Sequence, residues 1–184
     1  QKAIVKKMHA VETLGCCDVI CSDKTGTITE NRMTVQEVWS NFNEKNGYFD
    51  LLLKNMVLCN DAQLGKSGYV GDSTEVALLN YAKTKNVKKE EENSPRLKEI
   101  SFSSEREMMS TLNLVGDKKV LFVKGALDRI LDKCRFIASE NGVIELTKEK
   151  KKEILKINSN MCKEARRVLA FAYKLTDDLD ENEL

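Results

Sequence analysis

Histidine is almost missing from this sequence: His9 is the only one in 184 residues. A zinc site of ordinary Cys/His spacing is thereby excluded, since Cys16-Cys17 and Cys21 do not form a CxxC pair and no histidine lies near enough to complete them. Proline is equally scarce, and Pro95 closes the polar stretch Lys85–Pro95. No apolar run approaches the ~20 residues that span a bilayer. Net charge is +1, which offers no electrostatic case for nucleic acid or an anionic membrane. The basic run Lys83–Lys89 is cancelled at once by Glu90–Glu92 and reads as a solvated loop. The remaining composition is 41% hydrophobic and 32% charged, which argues against disorder and for a core of about one domain. The six cysteines show neither a disulfide framework nor a signal-peptide context, so reduced, mostly buried thiols in the cytosol are expected.

The pattern along the chain predicts an α+β fold. Val5, Met8, Val11 and Leu14 recur at helical spacing. The apolar run at Asp18–Ser22 reads as a buried parallel strand ending on Asp23, and a further strand is expected at Met33–Trp39. Helices follow at Phe49–Cys59, after Asp72, at Leu127–Cys134, and along Ile154, Ile157, Met161 and Ala165. Asp72 with Glu75 three residues on reads as a capping box. Leu64–Gly71 reads as glycine-rich loop; Gly65-Lys66-Ser67 lacks the upstream glycine and strand of a P-loop. Ile100 and Phe102 alternate in a strand, and Val168–Tyr173 forms another. Two hairpins are expected, one turning at Gly116-Asp117 with Leu112 and Leu114 inward, one at Asn141-Gly142. Strands grouped in hairpins with helices between them imply an antiparallel sheet flanked by helices.

The sharpest feature is Asp23-Lys24-Thr25-Gly26-Thr27. A carboxylate at the carboxyl end of a strand suits nucleophilic attack on a γ-phosphate, with Gly26 admitting close backbone approach and Thr27 offering a hydroxyl. Lys24 adds positive charge nearby. This string is identified as the signature of P-type ATPases, within the haloacid dehalogenase-like fold. Ala10–Gly15 and Asp18–Ser22 resemble the stretch before the aspartate in calcium pumps and their bacterial relatives, and Asn31–Val35 resembles the hinge strand after it. Phosphatases of the same fold place a second aspartate two residues after the nucleophile; this chain has Thr25 there, which implies a slowly hydrolysed aspartyl phosphate.

Four more motifs resemble the nucleotide-binding domain of these pumps. Gly71-Asp72-Ser73-Thr74-Glu75 implies Glu75 as acceptor for the adenine amino group, a role compatible with a helix start. Phe102-Ser103-Ser104-Glu105-Arg106 implies stacking of Phe102 on adenine, in a strand that is running out of the core. Lys124-Gly125-Ala126 implies a lysine anchored at the pocket wall, with Gly125 leaving room for the nucleotide. Arg167-Val168-Leu169-Ala170 implies that Arg167 meets the β-phosphate. The sequence departs from the family at Glu107, where calcium pumps usually carry lysine; either Arg106 takes over or the loop holds Glu107 away.

The resemblance covers essentially the whole chain. It implies three segments: residues 1–33 as an N-terminal fragment of an α/β phosphorylation domain, 34–176 as the nucleotide-binding domain, and 177–184 as an acidic tail toward a return hinge. It implies ATP and Mg²⁺, with Asp23 and Thr25 toward the metal and Asp23, Lys24, Thr25 and Thr27 as the catalytic set. It implies a place on the cytosolic face of a membrane, with an actuator domain, the rest of the phosphorylation domain and membrane helices as partners. The chain is expected to be a piece of such a pump, to bind ATP and to show no turnover, since Asp23 alone supplies too few carboxylates for Mg²⁺. Residues 1–32 are expected to pack poorly without partner strands. Two other classes compete: a soluble phosphatase or phosphotransferase, opposed by Thr25, and a non-catalytic binding module, favoured by Glu107 and opposed by Asp23 and Thr27.

Overall fold

Val120–Val123 is an unbroken apolar run because both of its faces are covered. Leu121 and Val123 pack on one side of a sheet with Met108, Leu112 and Ile130, while Val120 and Phe122 pack on the other with Leu58, Cys59 and Met109. A computed structural model describes Ile4 and residues 6–184, and divides the chain into two units, Gln1–Arg32 and Met33–Leu184.

In the second unit the elements run α2 (Gly47–Leu58), β1 (Gln63–Gly65), β2 (Gly68–Val70), α3 (Ser73–Thr84), β3 (Arg96–Ser103), β4 (Met108–Val115), β5 (Lys118–Gly125), α4 (Leu127–Lys133), β6 (Phe136–Ser139), β7 (Gly142–Glu145), α5 (Lys148–Lys163) and β8 (Ala170–Leu175). The central sheet has the order β3-β4-β5-β8, and every pairing is antiparallel. Helices α2 and α3 bury Phe49, Leu53, Met56, Leu78 and Leu79 between them. Buried Asn55 docks α2 on the sheet by donating to the carbonyls of Val123 and Ala172, at 3.2 and 2.8 Å. This is the antiparallel, helix-flanked α+β arrangement expected from the hairpin pattern.

Several local expectations are corrected. Leu64–Gly71 is a short hairpin, β1–β2, and its strands are only three residues each, too short to show alternation. Gly71 sits at φ +155 with Ala62 so close that an added Cβ would come within 2.8 Å of its Cα, which explains glycine there. Thr111 and Asn113, read as outward, are fully buried because α2 covers that face. Met33–Trp39 forms no strand; Val35, Val38 and Trp39 instead pack sideways against hydrophobic clusters. Ala165 is outside α5: its φ of +57 reverses the chain, and Ile154 is the buried residue of that helix. Strand β8 begins at Ala170 rather than Val168, because its partner β5 ends at Gly125.

In the first unit, α1 (Met8–Gly15) is the one regular element among the described residues. Met8, Val11 and Leu14 lie on it as expected and are exposed; Val5 lies outside the described residues. The strand expected at Asp18–Ser22 is absent. Val19 and Ile20 are 73% and 75% exposed, because a buried parallel strand needs neighbours on its edges and the described residues up to Arg32 supply none.

Candidate nucleotide site

The site grows from the start of α3. Asp72 caps the helix, accepting from the Thr74 and Glu75 amides at 2.8 and 3.4 Å. Burial alone would raise the Asp72 pKa, but these hydrogen bonds and the charge of Arg167 outweigh it and hold the carboxyl below its ordinary value. Glu75 does not complete the capping box. Its side chain turns away, accepts from the amides of Asp61 and Ala62 at 3.0 and 3.1 Å, and takes Lys124 Nζ at 2.5 Å. This ion pair is sheltered, with side-chain exposures of 7% for Lys124 and 15% for Glu75. A carboxylate has about four lone-pair positions. Three are filled here, which leaves one on Oε1.

The loop opposite Glu75 is held from behind. Lys89 Nζ donates to the Asn60 and Ala62 carbonyls, at 2.5 and 2.8 Å, and Arg96 donates to the Leu58 and Asn60 carbonyls. Burial, helped by the neighbouring Arg96 charge, pushes the Lys89 pKa below its ordinary value. Sequence reading missed both cations, since nothing in a polar loop marks which of its lysines folds inward.

Lys124 pairs across the sheet with Met109 on β4. A β-bulge between Ile100 and Ser103 sets two residues of β3, Ser101 and Phe102, against Met109. Phe102 therefore stands in the same cross-strand row as Lys124, and 60% of its surface is exposed. An aromatic ring left open two strands from a sheltered Lys–Glu pair is an unusual use of a core-forming residue. Gly125, next along β5, sits against the turn that follows Phe102: an added Cβ would approach the Glu107 carbonyl and come within 2.8 Å of Met108 Cα. Its smallness thus serves strand packing, whereas the resemblance implied room for the nucleotide. Arg167 lies at the start of α3, donating to Thr74 Oγ1 at 3.3 Å.

Glu107 and Arg106 have partners of their own. Glu107 accepts from Arg129 Nε at 3.0 Å, so its charge is neutralised by α4. Arg106 donates to the Ser101 carbonyl at 3.1 Å and forms an ion pair with Glu181. Neither Arg129 nor Glu181 carried a signal in the sequence, because both act across the fold.

Asp23, in the first unit, is exposed and its Oδ1 accepts from the Thr25 amide at 3.2 Å. Gly26 adopts φ +73 as the chain closes back, with the Ile28 and Thr29 amides on the Lys24 carbonyl at 3.0 and 3.1 Å. Thr25 and Thr27 are exposed beside it. Among the described residues no three His, Cys, Asp or Glu side chains gather into a metal-binding group. A hard divalent ion favours several oxygen ligands, so Asp23 and Thr25 alone do not fit Mg²⁺.

A sheltered acid–lysine pair, an open aromatic and an arginine beside a helix start lie in the second unit, most of which matches a known domain family. The sequence pattern of the P-type ATPase cytoplasmic domain N matches residues 49–183, and the chain belongs to that family. It is 42% identical to calcium-transporting ATPase 1 of Bacillus cereus over 99% of this chain, and 40% identical to calcium-transporting ATPase 1 of Lactococcus lactis over 100%. Calcium-transporting ATPase of Bacillus subtilis is 35% identical over 95% of this chain. The chain spans 22% to 23% of the length of these relatives. Among the described residues no helix is long and apolar enough to cross a membrane.

Proposed function

We propose that Met33–Leu184 binds ATP for a P-type pump that transports a cation, calcium by likeness to its relatives, and that Asp23 is the residue the pump phosphorylates. The observation that carries the reading is Phe102, open on its strand in one row with the Lys124–Glu75 pair. Stacking on an aromatic ring is worth ~1–3 kcal/mol per base, enough to hold adenine on an open face. The free lone pair of Glu75 accepts from the adenine amino group. Lys124 has three N–H donors and gives one to Glu75; the others remain for ligand. Arg167, which reaches the first turn of α3 from the loop before β8, meets the β-phosphate. Arg106 serves through the loop that carries Phe102, since its guanidinium is already engaged by Glu181 and Ser101.

ATP supplies the phosphoryl group, and Asp23 attacks its γ-phosphorus as the bond to the β–γ bridging oxygen breaks, leaving ADP. Gly26 and Thr27 shape the approach of that group. Mg²⁺ serves the whole pump on the cytosolic face of its membrane, with its other ligands, the actuator and the membrane helices contributed by other parts of the protein. This chain by itself binds ATP without turnover.

Calorimetric titration with ATP and with adenosine tests the reading. Both bind the chain, Phe102→Ala weakens both about 5–150-fold, and Lys124→Met weakens ATP more than adenosine. Equal binding by Phe102→Ala contradicts the site, and stoichiometric phosphorylation of Asp23 in this chain contradicts the absence of turnover.

A further inference from the structure

The segment after β8 carries five acidic residues, and each has a basic partner on the domain. Asp177 meets Lys119 at 3.0 Å, Asp178 meets Lys98 at 2.7 Å, Asp180 meets Lys174 at 2.7 Å and Glu183 meets Arg135 at 3.4 Å. Exposed pairs of this kind contribute little each. Glu181 differs. Its side chain is only 11% exposed, and it takes the Arg106 guanidinium and the Ser110 hydroxyl, with Lys133 Nζ at 4.0 Å. Leu184 then enters the cluster of Met108, Leu112, Leu121, Val123 and Ile130, donating its amide to the Lys133 carbonyl at 2.9 Å. What reads in the sequence as an acidic tail is a docked strap.

Arg106 ties the strap to the candidate site. While one end of its guanidinium holds Glu181, Nη1 donates to the Ser101 carbonyl at 3.1 Å. That carbonyl belongs to the peptide bond leading into Phe102, inside the bulge where the regular β3–β4 register is broken. The orientation of this peptide helps set how the Phe102 ring is presented, and Arg106 is a side chain that fixes it.

We propose that Glu181 is a positioning residue for the base-stacking face: through Arg106 and the Ser101 carbonyl it holds Phe102 ready for adenine, and strap docking and nucleotide binding favour one another. This rests on Phe102 being the stacking residue. By linkage, if the docked strap improves affinity, bound nucleotide must stabilise the docked strap by the same factor. The strap is thus a route by which occupancy of the site is felt at residues 177–184.

Hydrogen exchange of the whole chain with and without ATP, joined to adenosine titration of Glu181→Gln and Asp178→Asn, tests this. ATP slows exchange at the Phe102 and Lys124 segments and also at residues 181–184. Glu181→Gln weakens adenosine about 5-fold or more, although it touches no ligand, while Asp178→Asn binds as the parent chain does. A merely structural role for Glu181 lowers the unfolding midpoint and leaves adenosine affinity alone; that result overturns the proposal. Protection of Phe102 and Lys124 with unchanged exchange at 181–184 in the parent chain also overturns it, independently of any variant. If ATP protects neither the Phe102 nor the Lys124 segment, the site reading itself fails and takes the proposal with it.

Discussion

Residues up to Arg32 and residues from Met33 onward follow opposite physical regimes. In the first unit every described residue is exposed, including Ile4, Met8, Val19 and Ile20. In the second, apolar side chains gather into clusters on both faces of a four-stranded sheet. The two share one chain and similar residue types, so hydrophobicity alone does not make a core. The second unit closes its sheet with antiparallel neighbours supplied locally by hairpins. The first carries the residues of a buried strand, and its described residues include no partner for it. The Asp23–Thr27 string is therefore sharp as sequence and weakly shaped as structure, while the candidate site around Glu75 and Lys124 is held from several sides.

The largest test of this contrast is a pair of core substitutions. Phe122→Ala, fully buried in the second unit, should cost ~3–5 kcal/mol. Ile20→Ala should stay within about 0.5 kcal/mol, as an exposed position does. Denaturant unfolding of both variants checks this, and a comparable loss from Ile20→Ala breaks the comparison.

Next is Lys124→Ala. Removing one member of a sheltered pair leaves the other charge uncompensated, which costs ~3–5 kcal/mol when burial is complete. The two amides that Glu75 also accepts temper this, so a loss of about 3 kcal/mol is expected, together with loss of ATP binding. Lys24→Ala, in the exposed loop, should leave stability unchanged in the same unfolding assay.

Asp72→Ala should cost about 1 kcal/mol near neutral pH, the usual worth of a cap. The Asp72 pKa is lowered in the folded state, so its contribution is full above the ordinary value of 3.8 and is lost as pH falls through the lower folded value. Parent and variant should therefore converge in acid. A difference that persists or grows there contradicts the cap.

The smallest effect is kinetic. Burial pushes the Cys59 thiol up to about 11, and Cys134 likewise to about 11. Contrary to the expectation of mostly buried thiols, Cys16, Cys17 and Cys21 of the first unit, and Cys162, are exposed, because no core forms around them. A thiol reagent at about pH 8 should label those four quickly, half-buried Cys134 more slowly and buried Cys59 only on unfolding. Slow labelling of Cys16, Cys17 and Cys21 would show that the first unit is packed.

Much of the second unit was legible because its elements are defined by neighbours in sequence. The turn at Gly116-Asp117, the second hairpin, which turns one residue earlier than expected at Glu140-Asn141, and the Asp72 cap each follow from a few adjacent residues. The same holds for Phe102, Glu75 and Lys124, whose motifs place them on the elements the structure shows. What stayed hidden is what depends on distant partners. Thr111 and Asn113 look like an outer face until α2 covers them. Glu107 looks like a misplaced charge until Arg129 neutralises it, and Arg106 looks free until Glu181 takes it. The strand expected at Asp18–Ser22 fails for the converse reason: its pattern is correct, and pattern alone supplies no partner.

The most direct measurement is a heteronuclear NMR titration of the chain with ATP, repeated on Phe102→Ala. The account predicts shifts confined to the residues around Phe102, Glu75, Lys124 and Arg167, with Asp23 unmoved, and their disappearance in the variant. An unchanged spectrum at millimolar ATP, or the same shifts in Phe102→Ala, would contradict it.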